Sequence, residues 1–222
     1  MSEPLWDLLL RSFWPLVQGA VAGTIPLALV SFALGLVLAL GVALMRLSRI
    51  RVVSSIARAY VSLIRGTPLL VQLFVIFYGL PSIGLVVDPW PSAIVAFSLN
   101  VGGYAAEVIR AAILSVPKGQ WEAGHTIGMS RRTTLARIIL PQAARVSVPP
   151  LSNTFISLVK DTSLASLILV TDLFRIAQEI AAFSQEFLVL YMEAAAVYWV
   201  ICLALSSGQS VLEKRLDRYV AH

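Results

Sequence analysis

A long stretch without a charged side chain near the N-terminus constrains this chain more than any other feature. No Asp, Glu, Lys or Arg lies between Arg11 and Arg46. A helix needs about 20 mostly apolar residues to cross the hydrocarbon core of a bilayer. The whole sequence suits lipid, because 58% of its residues are hydrophobic and only 13% are charged, whereas soluble domains average about 25% charged. The sequence therefore predicts an all-α, polytopic membrane protein.

Five mostly apolar stretches are predicted to span the bilayer. The fourth stretch is interrupted by Lys160 and Asp161. The whole chain, 1–222, is predicted to form a single transmembrane domain, with a loop at 115–146 between the third and fourth spans. The predicted spans cover about residues 17–45, 55–80, 91–114, 147–170 and 187–212.

The distribution of Lys and Arg predicts the orientation. Thirteen of the 17 basic residues fall in three alternate segments, those after spans one, three and five. Cytoplasmic segments carry such an excess of positive charge. The pattern predicts an N-terminus outside, a C-terminus in the cytoplasm, and a multi-pass protein of the cytoplasmic (inner) membrane.

Several function classes are disfavoured by what the sequence lacks. There is one cysteine, Cys202, and the two histidines, His125 and His222, are far apart, so we expect no metal site. No Gly-x-x-x-x-Gly-Lys-Ser/Thr loop is present, so we expect the chain to hold no ATP and to be no enzyme by itself. The basic residues lie at membrane boundaries, which argues against nucleic acid as a partner.

The loop at 115–146 carries a spaced motif that resembles the cytoplasmic signature of binding-protein-dependent ABC permeases. In that family the signature reads Glu-Ala-Ala, three residues, Gly, nine residues, Ile, one residue, Leu-Pro. One position departs here, because Gly124 stands where alanine is usual. The resemblance implies a type I ABC importer permease fold and a coupling helix seated on the ATP-hydrolysing subunit. The residues that match the motif are Glu122, Ala123, Gly124, Gly128, Ile138, Leu140 and Pro141.

Two further segments, 65–72 and 151–164, resemble polar amino acid permeases, and the loop at 78–93 is similar to cystine-type members. The resemblance implies a permease subunit that imports polar L-amino acids by alternating access. It also implies two ABC ATPase subunits, which bind ATP and Mg, and an extracytoplasmic solute-binding protein. Because transporters usually place their site between two related halves, we expect a second permease subunit, in a homodimer or a heterodimer. This chain itself is expected to bind no cofactor.

Polar side chains on two predicted spans are candidates for the substrate pathway, because polar groups inside a membrane are costly. Spacings of four and seven residues place each set on one helix face. Lys160 and Asp161 have an alternative role as an internal ion pair, and Glu107 has one as the partner of Arg110. The candidates are Asn100, Tyr104 and Glu107 on the third span and Asn153, Ser157, Lys160 and Asp161 on the fourth.

Two other functions remain open from the residues alone. A passive channel or pore subunit would explain the spans and the polar faces, but not the spaced motif in the loop. A membrane anchor or assembly protein would explain the spans only. A channel would conduct without ATP, and an anchor would tolerate loss of the charge at Lys160.

Overall fold

The structure is a computed structural model that describes residues 5–217, nearly all of them helical. Within this range ten α-helices follow one another. They are α1 (Leu5–Gly19), α2 (Ile25–Arg46), α3 (Arg51–Gly66), α4 (Leu69–Phe74), α5 (Pro89–Ser115), α6 (Lys118–Thr126), α7 (Arg131–Thr134), α8 (Leu140–Asp161), α9 (Leu173–Ser184) and α10 (Phe187–Asp217). Wider π turns cover Ala20–Thr24, Val75–Gly79 and Leu135–Ile139, and tighter 3₁₀ turns cover Leu80–Ile83 and Thr162–Ile168.

Three continuous helices in the described range are long and apolar enough to cross a bilayer. Two further helix pairs meet that length and composition only when each pair, with its bend of 106° or 49°, is counted as one span. The described chain therefore has three to five candidate spans, and the count of five stays a prediction. The three continuous helices are Leu5–Arg46, Pro89–Ser115 and Phe187–Arg215.

The first helix is longer than the sequence predicts. We expected a crossing from about residue 17, but α1, a π turn and α2 form one helical stretch that begins at Leu5. Pro26 has no N–H and cannot donate to the carbonyl of Ala22. The π turn precedes this proline. In it, Ile25 N donates to the carbonyl of Ala20, five residues back, and not to that of Val21 four residues back. The wider turn keeps the chain helical past the proline.

The second predicted span is sharply bent. At Thr67 and Pro68 the backbone is extended, and the helical segments on either side are at 106° to each other. The residue before a proline is driven out of the α region. Thr67 is the residue before Pro68, and the bend lies there.

The core of the bundle forms where α2 and α5 pack together. Phe97 of α5, Leu27 of α2 and Leu73 of α4 are fully buried in one apolar cluster. Two hydrogen bonds join neighbouring helices here: Tyr60 donates to the carbonyl of Leu99 over 2.6 Å, and Ser98 donates to the carbonyl of Ser31 over 3.2 Å. Most side chains of α10 are exposed, which shows that this helix lies at the edge of the bundle.

α9 was not predicted, because its charged residues suggested an outer loop. It is capped at its N-terminus by the fully buried Asp172, which accepts a hydrogen bond from the backbone N–H of Arg175 at 2.8 Å. Tyr198 of α10 donates to the other carboxylate oxygen of Asp172 over 3.2 Å. Asp172 therefore joins α9 to α10.

Two glycines let the first helix approach the start of α9. A Cβ added at Gly23 would lie 2.5 Å from the carbonyl oxygen of Thr171 and 2.7 Å from the Cα of Asp172. Both are backbone atoms that cannot turn aside. The GxxxG spacing of Gly19 and Gly23 therefore forms a close-packing face.

This contact gives a matched test of packing. Gly23→Ala should lower the free energy of unfolding of the purified chain in detergent by about 1–3 kcal/mol, because overpacking a site costs this much. Thermal unfolding measures the change. Gly41→Ala is the control, because a Cβ at Gly41 meets nothing within 4 Å. It should be neutral or stabilising by up to about 1 kcal/mol through helix propensity. Equal stability of both variants would show that the contact with α9 is not close.

Candidate functional site: a polar cavity and the motif segment

A cavity of about 420 Å³ lies where the bend between α3 and α4 faces α5 and α8. We name it the polar cavity. Its apolar wall includes Leu69, Val101 and Leu158. Its polar lining consists of Thr67, Asn100, Tyr104, Asn153, Thr154, Ser157 and Asp161.

The structure brings together five of the seven residues that the sequence assigned to the substrate pathway. Asn100 and Tyr104 reach the polar cavity from α5, and Asn153, Ser157 and Asp161 reach it from α8. Asp161 is the one charged side chain among the described residues that line the cavity. The arrangement offers a carboxylate, several amide and hydroxyl groups, and an apolar wall to one small polar molecule.

Lys160 lies outside the polar cavity, although the sequence grouped it with Asn153 and Ser157. It lines a separate cavity together with Phe174, Tyr191 and Tyr198 of α9 and α10. One residue along an α-helix turns the side chain by about 100°. The face of α8 that meets the polar cavity passes through Ser157 and Asp161, so Lys160 is turned towards α9. No ion pair within 4 Å joins Lys160 to Asp161 in the described part of the chain.

Glu107 also lies outside the polar cavity. Its carboxylate accepts from Arg46 at 2.5 Å and from Arg110 at 3.0 Å. The expected partner Arg110 is therefore present, and Arg46 joins it from the end of α2. A carboxylate held between two guanidinium groups is poorly suited to a third cation such as a substrate ammonium. The ion pair of Glu107 with Arg46 links α5 to α2.

Gln72 holds the bend at one side of the polar cavity, a role that the sequence did not reveal. Its amide nitrogen donates to the carbonyls of Ile64 and Thr67, at 2.8 Å and 3.1 Å. These carbonyls lie at the end of α3, where Pro68 supplies no N–H donor. Asn100 donates to the amide oxygen of Gln72 over 3.1 Å. The sequence signal is a glutamine four residues after a proline inside an apolar stretch.

Two more polar side chains at the cavity, Tyr104 and Asn153, have partners on other helices. The guanidinium carbon of Arg65 lies 5.5 Å from the centre of the Tyr104 ring, a cation–π distance. Gln209 of α10 donates to the amide oxygen of Asn153 over 3.2 Å. These contacts fix Tyr104 and Asn153 in place at the cavity.

The motif segment, residues 118–141, forms a short helical hairpin. α6 ends in a turn where Met129 N donates to the carbonyl of Gly124 and Gly128 N donates to that of His125, each over 3.0 Å. Gly128 has φ of 79°, in the left-handed region that favours glycine. Ser130 then caps α7 by accepting from Thr133 N. The motif glycine at 128 is explained by this turn.

The end of the motif continues into α8. A π turn at Leu135–Ile139 lies directly before Leu140 and Pro141, as another does before Pro26. Ile139 is fully buried and Ile138 partly buried against the end of α5. This stretch therefore packs on α5 and extends α8.

The two faces of α6 differ. Trp121 packs with Ile113 and Val116 at the end of α5, and Arg131 lies 5.9 Å from its ring centre. Glu122, Ala123 and Ile127 are exposed, Ile127 by 73%. The motif segment is thus fixed to α5 on one side and presents an acidic and apolar surface on the other.

The sequence of this chain matches a known family of transport proteins. Residues 31–218 match the family described as binding-protein-dependent transport system inner membrane component. The chain belongs to this family. Its membership confirms the resemblance found in the motif, and it makes the chain a multi-pass inner-membrane permease subunit of an importer. The alternative of a passive channel was wrong.

Individual relatives cover almost the whole chain. The L-cystine transport system permease protein TcyB of Bacillus subtilis (strain 168) is 63% identical over 217 residues, 97% of this chain and 93% of that protein. A chain from the crystal structure of an amino acid ABC transporter with histidines superposes with a TM-score of 0.88 at 33% identity, covering 97% of this chain and 100% of that one. A chain of the methionine transporter MetNI shares the fold, with a TM-score of 0.75 at 20% identity over 97% of this chain and 99% of that one.

The departure from the family motif at Gly124 has a local cause that can be tested. Gly124 is buried, and an added Cβ would lie 2.6 Å from Cγ2 of Thr134. Gly124→Ala should therefore destabilise the chain in detergent by about 1–3 kcal/mol. Adding Thr134→Ala should recover part of the loss, with a coupling energy of about 0.5–3 kcal/mol in a double-mutant cycle of thermal unfolding.

Gly119→Ala is the control on the same helix, because a Cβ there meets nothing within 4 Å. It should change stability little. Additive effects of Gly124→Ala and Thr134→Ala would contradict the contact.

Proposed function

We propose that this chain is the permease subunit of an ATP-driven importer of polar L-amino acids, with cystine as the first substrate to test. The substrate class is supported by the 63% identity to TcyB and by the chemistry of the polar cavity. The residues proposed to meet the substrate are Asn100, Tyr104, Asn153, Ser157 and Asp161. Glu107 and Lys160 are not included, because they lie outside the cavity.

One observation carries the mechanism: two of the helices that line the polar cavity, α5 and α8, also hold the motif segment. α5 lines the cavity with Asn100 and Tyr104 and contacts Trp121 near its C-terminal end. α8 lines the cavity with Asp161 near its C-terminal end and continues the motif segment at its N-terminal end. A displacement of the motif segment would therefore move both walls of the cavity, as alternating access requires.

The lining of the polar cavity suits a zwitterion. Asp161 offers a carboxylate to an ammonium group, and the amides of Asn100 and Asn153 with the hydroxyl of Ser157 offer donors to a carboxylate. The apolar wall suits the disulfide of cystine. A volume of about 420 Å³ lies within the range of small-molecule pockets.

The proposal includes five spans with the N-terminus outside and the motif segment in the cytoplasm. A second permease subunit completes the pathway, two ATPase subunits bind ATP and Mg, and an extracytoplasmic binding protein delivers the substrate. The exposed face of the motif segment contacts an ATPase subunit, and this chain contributes no cofactor. The family description, which names a binding-protein-dependent system, supports these partners.

The substrate assignment predicts a defect centred on one carboxylate. Asp161→Asn should raise the KM for cystine uptake about ten- to hundredfold, because a hydrogen bond to a charged group is worth about 1.5–3 kcal/mol. Uptake is measured in proteoliposomes that contain the complete transporter, its binding protein and internal ATP. Lys160→Gln removes a neighbouring charge outside the cavity and should change the KM by no more than about twofold.

A larger effect of Lys160→Gln than of Asp161→Asn would reverse this assignment. Uptake by the wild-type complex that continues without ATP would contradict the importer itself.

The proposed orientation predicts which partner each end of the bundle touches. A photo-crosslinking phenylalanine replaces Ile127 or Val86, which are 73% and 82% exposed at opposite ends of the chain's helices. The probe at 127 should crosslink to the ATPase subunit, and the probe at 86 should not. Adducts identified by mass spectrometry decide the result. ATPase adducts from position 86, or none from position 127, would overturn the orientation.

A further inference from the structure

A second, larger cavity of about 790 Å³ lies between the ends of α2 and α5 and the motif segment. We name it the basic groove. Four cationic side chains line it: Arg49, Lys118, Arg131 and Arg132. All four are exposed, and none forms an ion pair with a carboxylate in the described part of the chain.

The rest of the basic groove is largely apolar and continues the bundle surface. Leu44 of α2 and Leu114 of α5 line it, and both lie on helices long enough to cross a bilayer. No Asp or Glu lines it among the described residues. A molecule that filled this groove would need an anionic group beside the four cations and an apolar part beside the leucines.

We propose that the basic groove binds an anionic phospholipid, with its phosphate among the four cations and its acyl chains along α2 and α5. Basic pockets at the membrane boundary are suited to anionic headgroups. Arg49 approaches from the segment after α2, Lys118 from the start of α6, and Arg131 and Arg132 from α7. The lipid would therefore bridge the bundle and the motif segment.

The other candidate occupant, a segment of the ATPase, fits the groove less well. The exposed motif residues Glu122, Ala123 and Ile127 do not line the basic groove, so the surface proposed for the ATPase lies elsewhere. The inference rests on the proposed function only in placing this end of the bundle at a membrane boundary. It does not depend on which substrate is carried.

Lipid binding is tested on the complete transporter by native mass spectrometry, titrating phosphatidylglycerol in the presence of phosphatidylcholine. The double variant R131Q/R132Q should lower the affinity for phosphatidylglycerol about thirtyfold, since each cation near the surface contributes about fivefold. R49Q/K118Q removes the same charge from the other two cations of the groove and should act alike. This second pair keeps the test valid if the first fails to assemble.

The matched control is R137Q/R145Q, which removes two exposed cations that do not line the groove. It should bind phosphatidylglycerol as the wild type does. An equal loss in the control would show diffuse attraction, and an unchanged affinity in both groove variants would show no site; either result overturns the proposal. Competition by inorganic phosphate alone at similar concentration would identify an anion site without lipid character and would also overturn it.

A final measurement distinguishes a lipid from the ATPase as the occupant of the basic groove. If phosphatidylglycerol binds the isolated chain but not the complete transporter, the groove belongs to the subunit contact and the proposal fails. ATP-dependent uptake is measured on the same preparations. Charge-dependent lipid binding without ATP-dependent uptake would contradict only the proposed function, whereas uptake without specific lipid binding would contradict only this inference.

Discussion

The close approach of α2, α3 and α5 is the contact on which the rest of the molecule depends. Lipid is as apolar as leucine, so helices in a membrane associate through tight packing and hydrogen bonds between them. A Cβ at Gly35 would lie 2.6 Å from Val101, one at Gly102 2.7 Å from Leu38, and one at Gly103 2.5 Å from Ile64. Glycine at three positions therefore brings three helices together, and the hydrogen bonds from Tyr60 and Ser98 fix their register.

Within this packed unit, α5 contributes to two sites at different levels along its length. Its middle carries Asn100 and Tyr104 into the polar cavity, and its end supports Trp121 of the motif segment. Between these levels Glu107 binds Arg46 of α2 and Arg110 of α5. A partly buried carboxylate with two cations costs less to desolvate than one left alone. The ion pair between Glu107 and Arg46 therefore keeps α2 aligned with α5 where the motif segment is attached.

Composition and spacing predict the helical class, the apolar stretches and the motif, because each depends on residues close together in sequence. They do not predict which neighbour a polar side chain faces. Seven-residue spacing placed Lys160 with Asn153, yet Lys160 lines the cavity beside α9 and α10, and Asp161 lines the polar cavity. The role of Gln72 was missed for the same reason, since it depends on carbonyls freed by a bend. Likewise, the hydrogen bond between Asp172 at the start of α9 and Tyr198 joins residues that are distant in sequence.

The position of the polar cavity follows from the cost of breaking a helix in lipid. A backbone carbonyl without a partner is unfavourable there, so irregular backbone is tolerated where side chains satisfy it or where it lines a cavity. At the break after α3, Gln72 donates hydrogen bonds to the carbonyls of Ile64 and Thr67. At the end of α8, Thr162 donates to the carbonyl of Val159 over 2.8 Å and Ser163 to that of Lys160 over 2.7 Å. Both places border the polar cavity through Thr67 and Asp161, so irregular backbone and polar side chains occur together at this site. A chain whose helices were all continuous would pack more simply, but it would have no such polar site between its helices.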